Sequence, residues 1–157
     1  MPRSRLVTLH AVSSSIALLT ILSFWLSATI AELFLGHDGI VSVRTAILFV
    51  LPVLVIALAG AGASGFRLAG RSRAPEVEAK RTRMKVAAGI GVLVLVPSAI
   101  FLGWKANAGS LDTTFTTVQL VELVAGATNI VLLGLNMRTG LRMRGRRLER
   151  NARRAAA

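Results

Sequence analysis

The sequence predicts an all-α integral membrane protein, an up-down bundle of four transmembrane helices with both termini in the cytoplasm. The 157 residues are 54% hydrophobic and have a mean hydropathy of +0.65, which is too apolar for a soluble domain of this size. The apolar residues also gather into four blocks, each close to or longer than the ~20 residues that a helix needs to cross hydrocarbon. These blocks are residues 11–35, 41–66, 86–104 and 116–137.

The distribution of basic residues predicts the orientation of the bundle. Of the 19 Lys and Arg residues, 17 precede the first block, lie between the second and third, or follow the fourth, whereas Arg44 and Lys105 lie on the other side. The positive-inside rule therefore places the termini and the long middle connector in the cytoplasm, beneath a bacterial inner membrane. Anionic lipid headgroups then account for the net charge of +12, and no motif for nucleic-acid binding is present in the sequence.

The four blocks are interpreted in chain order as retained, antiparallel helices. The first is too long for the apolar region of a signal peptide, and no small-residue cleavage site follows it. Short connectors, "GHDG" and "ANAGSLDTT", favour neighbours that run in opposite directions, while Gly70 and Pro75 interrupt the longer middle connector. The sequence thus predicts a transmembrane domain over residues 1–140 and a basic cytoplasmic tail over residues 141–157.

Polar residues follow one face of the fourth predicted helix. Glu122, Asn129 and Asn136 recur at intervals of seven, which is nearly two helical turns, so their side chains share a stripe. Such a stripe predicts a polar seam through which the helix hydrogen-bonds to its neighbours.

Ionisable residues also cluster near the predicted external surface, where Glu32 ends the first helix and Arg44 begins the second. Ionisable groups in transmembrane segments are rare and are functional hypotheses by default. The favoured interpretation is an ion pair of Arg44 with Glu122 or with Glu32. The alternative is a pair of carboxylates that exchanges protons or binds a cation, with His37 completing a metal site.

The cytoplasmic half carries a different constellation, centred on His10. Small residues in "AGAGASG" and "AAGIG" at the same depth predict a flat wall against which a haem could lie. His10 could ligate the iron of a b-type haem together with Met137 or Met143, or with His10 of a second protomer. The haem propionates would then be bound by arginines of the same region, namely Arg3, Arg5, Arg67 and Arg138.

Two stretches, "LHAVSSSIALLTILSFWLSATIAELF" and "VQLVELVAGATNIVLLGLNMRTGLRMRGRR", resemble a small four-helix inner-membrane protein family of proteobacteria. The resemblance covers most of the chain and implies the topology, but it implies no activity and no functional residue. The sequence also carries no catalytic signature such as a P-loop or a nucleophile elbow, so a stand-alone enzyme is not expected.

Three functions remain open at the level of the sequence. The first is a haem-binding electron-transfer module or a subunit of a membrane redox complex. The second is a non-catalytic accessory or assembly subunit, and the third is a small oligomeric transporter coupled to protons or cations. Each of them predicts a homo-oligomer or a larger membrane complex as the working assembly.

The predicted orientation is testable with reporter fusions placed after Arg73 and at the C-terminus. Both fusions should report a cytoplasmic location, because 17 of the 19 basic residues lie on the segments that these positions sample. A periplasmic signal at either position would contradict the arrangement with both termini inside.

Overall fold

The chain folds as an all-α four-helix bundle, which confirms the predicted fold class. The computed structural model describes residues 2–70 and 75–156. The first two long helices are α1 (Arg3–Phe34) and α2 (His37–Ala69). The third is a composite of α3 (Pro75–Ile90), a π-helical segment (Gly91–Leu95) and α4 (Val96–Asn107). The fourth is α5 (Thr113–Ala155). Each is long and apolar enough to cross a membrane, which is the architecture of a multi-pass membrane protein.

The helices extend beyond the apolar blocks at both ends of the bundle. Residues 141–155 continue α5 without a break, since Leu, Arg and Glu are strong helix formers. Pro75 opens α3, where its missing N–H costs nothing because the first helical N–H groups have no intrahelical acceptor. Arg71 and Arg73, which contribute to the charge of the middle connector, lie outside the described residues.

The order of the helices around the bundle follows from their packing. Helix α1 packs against α2 and α5, and the composite third helix packs against α2 and α5 from the other side. Helices α2 and α5 therefore face each other across the diagonal. We call the end that contains residues 3–15, 60–70, 75–85 and 136–155 the terminal end, and the other end, with the connections 35–36 and 108–112, the opposite end.

Small and aliphatic residues form the core, whereas large apolar residues face outward. Ala17, Ala28, Ala57 and Ala99 are buried between the helices, where their small side chains let the backbones approach closely. By contrast, Phe49, Ile56 and Leu93 are 80%, 72% and 76% exposed. This distribution fits a bundle whose outer surface is solvated by lipid.

The π-helical segment lies directly before Pro97, and the proline explains it. The carbonyl of Gly91 accepts from the N–H of Val96, five residues on. Pro97 has no N–H, and in a regular α-helix its ring would crowd the carbonyl of Leu93, so a wider turn relieves the clash. The turn leaves Gly91 facing the bundle interior, where it is buried.

The start of α5 is anchored by Asp112, which sits just before the helix. Its Oδ1 accepts the N–H of Phe115 at 3.0 Å, and its other oxygen pairs with Lys105. The hydrogen bond from Lys105 and that from the Phe115 N–H hold the pKa of Asp112 below its ordinary value. Asp112 thus caps the N-terminus of α5, about 15 Å along the helix axis from Glu122.

Candidate functional site

A buried ion pair connects α2 and α5 across the interior of the bundle. Arg44 Nη1 on α2 donates to Glu122 Oε2 on α5 at 2.6 Å, which links the two diagonal helices. Arg44 is 1% exposed, and its guanidinium carbon lies 5.8 Å from the centre of the Phe115 ring. Because a buried charge that loses its partner costs about 3–5 kcal/mol, each member of the pair requires the other.

Glu32 is the third charged member of this cluster. It lies close enough to Arg44 and Glu122 for the charges to interact, and its Oε1 has no hydrogen-bond partner among the described residues. Among the described residues only Glu122 hydrogen-bonds to Arg44, so with Glu32 nearby the cluster carries one excess negative charge unless one carboxylate binds a proton.

The structure does not bring His37 to these carboxylates. It is exposed at the first position of α2. In the described part of the chain, no three or more His, Asp or Glu side chains come together in a group that could hold a metal ion. His37 therefore does not complete a site with Glu32 and Glu122 in this part of the chain.

Three amides continue the polar face of α5 on either side of Glu122. Gln119, Asn129 and Asn136 are 2%, 1% and 5% exposed, and neither polar atom of any of the three has a hydrogen-bond partner among the described residues. We call Gln119, Glu122, Asn129 and Asn136 the polar file. It extends about 25 Å along the helix axis, against roughly 30 Å for the hydrocarbon core of a bilayer.

Gln119 is the member of the polar file that the sequence interpretation missed. It precedes Glu122 by three residues, which is a spacing that places both on one helix face. The repeat of seven residues connects the other three members of the polar file and does not include Gln119.

The unpartnered amides cannot stay without partners in the folded protein. Three amides present six polar groups to hydrogen bonding, and leaving them all unsatisfied would cost about 6–18 kcal/mol, which is comparable to the whole stability of a folded domain. The side chains are buried inside the bundle, so neither lipid nor a partner protein can reach them. Water inside the bundle can satisfy them.

A cavity of about 60 Å³ lies at the centre of the bundle beside the polar file. Glu122, Asn129, Gly91 and Gly126 contribute to its wall, which is otherwise mostly apolar. A Cβ at Gly126 would lie 3.0 Å from Trp25 Cδ1, so a side chain at position 126 would crowd the Trp25 ring. At roughly 10–15 Å³ for each water molecule, the cavity of about 60 Å³ has room for about four to six waters.

The second feature is a pocket of about 130 Å³ at the terminal end, which we call the terminal pocket. His10 Nδ1 donates to the carbonyl of Ala61 at 3.0 Å and lies 3.2 Å from Ser64 Oγ. In the neutral imidazole this hydrogen bond places the proton on Nδ1 and the lone pair on Nε2. The pocket is lined by residues of all four long helices, including His10, Phe66, Lys80, Arg81, Met84 and Met143.

The residues predicted for haem binding are only partly brought together. Met143 lines the terminal pocket with His10, whereas Met137 is 44% exposed and does not. Arg5, Arg67 and Arg138 are exposed and lie outside the pocket wall, and the side chain of Arg3 lies outside the described part of the structure. The pocket, at about 130 Å³, is also smaller than the roughly 300–1,000 Å³ of typical cofactor sites.

Comparison with protein-family models, with curated proteins and with solved structures found no match to this chain. The resemblance to a proteobacterial inner-membrane family therefore remains an expectation, and the function is argued from the geometry.

The coupling of Arg44 to Glu122 is testable by a double-mutant cycle on protein in detergent micelles. Glu122→Gln and Arg44→Gln should each lower the free energy of unfolding by about 3 kcal/mol, because each leaves a buried charge without its partner. The double variant should lose at least about 1.5 kcal/mol less than the sum of the single losses.

The matched control is the ion pair of Glu76 and Arg146, which has a similar separation of 2.7 Å but exposed side chains. The same two substitutions there should change the free energy of unfolding by less than about 1 kcal/mol. Additive losses at Arg44 and Glu122 would show that the two charges are not coupled.

Proposed function

We propose that this protein conducts protons across the bacterial inner membrane along the polar file of α5, with Glu122 as the group that binds and releases the proton. The observation that carries the proposal is the run of inward-facing, unpartnered polar groups over most of the membrane thickness. Ionisable residues such as Glu122 are rare inside membrane helices and mark ion pathways and proton relays.

The proton enters from the opposite end through Glu32. With Arg44 paired to Glu122, Glu32 holds the excess proton, and the proton passes to Glu122 when the guanidinium turns from Glu122 to Glu32. Waters in the central cavity then carry it from Glu122 toward Asn129. The amides of Asn129 and Asn136 donate to and accept from water, so they hold a chain of waters without binding the proton themselves.

Arg44 favours protons over metal cations as the transported species. Its Nη1 occupies Oε2 of Glu122, which leaves few free carboxylate oxygens for a hard metal cation that takes about six oxygen ligands. A proton needs only one lone pair of one carboxylate oxygen.

The burial of the polar file argues against a seam that docks a partner complex. Such a seam would lie on the outer surface, whereas Gln119, Asn129 and Asn136 point into this chain's own bundle. The terminal end carries the basic residues, so it faces the cytoplasm in this proposal and the proton leaves the path there.

Proton conduction is testable in liposomes that contain the purified protein, a trapped pH-sensitive dye and an imposed potassium diffusion potential. The wild-type protein should acidify or alkalinise the lumen faster than protein-free liposomes. Glu122→Gln should reduce the rate to that of protein-free liposomes, because a glutamine cannot bind the proton. Asn129→Leu should also slow the flux while leaving the ion pair intact, because it removes the water partner of the cavity.

The matched control is Glu78→Gln, which makes the same change at an exposed position of α3. It should conduct like the wild-type protein. A wild-type rate equal to that of protein-free liposomes would refute proton conduction.

A haem-binding redox module is the second candidate, and it is favoured by the orientation of His10. Ligand imidazoles commonly donate their second ring nitrogen to a carbonyl, as His10 Nδ1 does to Ala61. His10 Nε2 would ligate the iron, with Met143 of the same chain or His10 of a second copy as the other ligand.

The redox candidate is testable by absorption spectroscopy of protein purified from haem-replete cells. A bound b-type haem should produce a Soret band that sharpens and shifts on reduction with dithionite. His10→Ala should abolish the band, and His37→Ala, at the opposite end of the bundle, should not. Loss of the low-spin spectrum in Met143→Leu but not in Met137→Leu would favour ligation within one chain. Colourless protein from such cells would exclude this candidate.

A further inference from the structure

We infer that the terminal pocket binds the phosphate of an anionic phospholipid headgroup. The inference is independent of proton conduction, because the terminal pocket and the central cavity share no lining residue.

The charges that line the terminal pocket fit an anion. Lys80 and Arg81 are cationic, and no carboxylate lies in the wall among the described residues. The nearby Glu76 pairs with Arg146 at 2.7 Å. In the described part of the chain, Lys80 forms no ion pair, although its side chain is partly buried.

Hydrogen-bond donors in the terminal pocket also remain available. Arg81 Nη2 donates to the carbonyl of Gly70 at 2.9 Å, which holds the guanidinium in place, while its buried Nε has no acceptor among the described residues. A buried guanidinium nitrogen without an acceptor is costly, and a phosphate oxygen is the acceptor that arginine matches best. A Cβ at Gly140 would lie 3.4 Å from Lys80 Nζ, so the glycine leaves room for the ammonium group.

The position of the terminal pocket favours a lipid over a soluble anion. Lys80 and Arg81 precede the apolar run that begins at Val86, so the pocket lies at the boundary between charged and apolar sequence, where headgroups lie. Phe66 and Met84 provide apolar surface beside the cations. The wall of the pocket thus has a cationic part and an apolar part. A phosphodiester with an attached glycerol backbone can contact both parts, whereas a free phosphate can contact only the cationic part.

The test measures the thermal stability of the delipidated full chain in a neutral detergent with three additions. Phosphatidylglycerol should raise the melting temperature, and phosphatidylcholine and inorganic phosphate should raise it much less. Lys80→Gln should weaken the apparent affinity for phosphatidylglycerol by at least about fivefold, since one basic residue contributes about 1 kcal/mol to the attraction of an anionic lipid. Lys85→Gln is the matched control, because Lys85 is exposed on the same helix and does not line the pocket.

Three results would overturn the inference. Equal losses in Lys80→Gln and Lys85→Gln would mean that the lipid is attracted by the net charge of the surface. Stabilisation by inorganic phosphate equal to that by phosphatidylglycerol would assign the pocket to a soluble phosphate, and an unchanged melting temperature with every addition would leave it without an anion.

A second measurement does not depend on the folding of a variant. The chain contains two histidines, so the wild-type protein labelled with ¹⁵N-histidine gives imidazole resonances that are easily resolved. Phosphatidylglycerol should shift the resonances of His10 and leave those of His37, at the opposite end, in place. Equal shifts at both histidines, or a shift at neither, would contradict binding in the terminal pocket.

Discussion

The ion pair between Arg44 and Glu122 is the interaction on which the arrangement of the bundle depends. A charge in a low-dielectric interior needs its partner, so the pair fixes the rotation of α2 and of α5 about their own axes. With Arg44 inward, the same face of α2 buries apolar residues along its length and ends at Ser64, beside His10. With Glu122 inward, α5 turns Gln119, Asn129 and Asn136 toward the interior. One contact thus orients both the core and the polar file.

A surrounding solvent of lipid fits the interior of the bundle, where small apolar side chains and a few buried polar groups lie between the helices. Between helices that lie in hydrocarbon, burial of apolar surface gives little driving force, so close packing and hydrogen bonding hold the helices together. Alanines fill the contacts between α1 and α2, while glycines at Gly91 and Gly126 leave space instead of filling it. The π-helical segment before Pro97 contributes to this space, because it turns Gly91 toward Asn129.

The two proposed sites are adjacent, although their walls are separate. Asn136 ends the polar file one turn before Gly140, and Gly140 lies beside the ammonium group of Lys80. A cation at the end of a proton path opposes the passage of protons, whereas an anionic headgroup bound to Lys80 would cancel that charge. The haem hypothesis assigns the same pocket to a different ligand, and it draws on the orientation of His10 rather than on Lys80 and Arg81.

The sequence by itself determined the number of transmembrane helices and the shared face of Glu122, Asn129 and Asn136, because hydropathy and helical periodicity are local properties of the chain. Only the tertiary structure decided that Arg44 pairs with Glu122 rather than with Glu32, that Gln119 joins the polar file and that Met143 rather than Met137 lines the terminal pocket with His10. Each of these outcomes depends on how far one helix is rotated and shifted against another. Those two quantities are set by the packing of residues that lie far apart in the sequence, so no local pattern contains them.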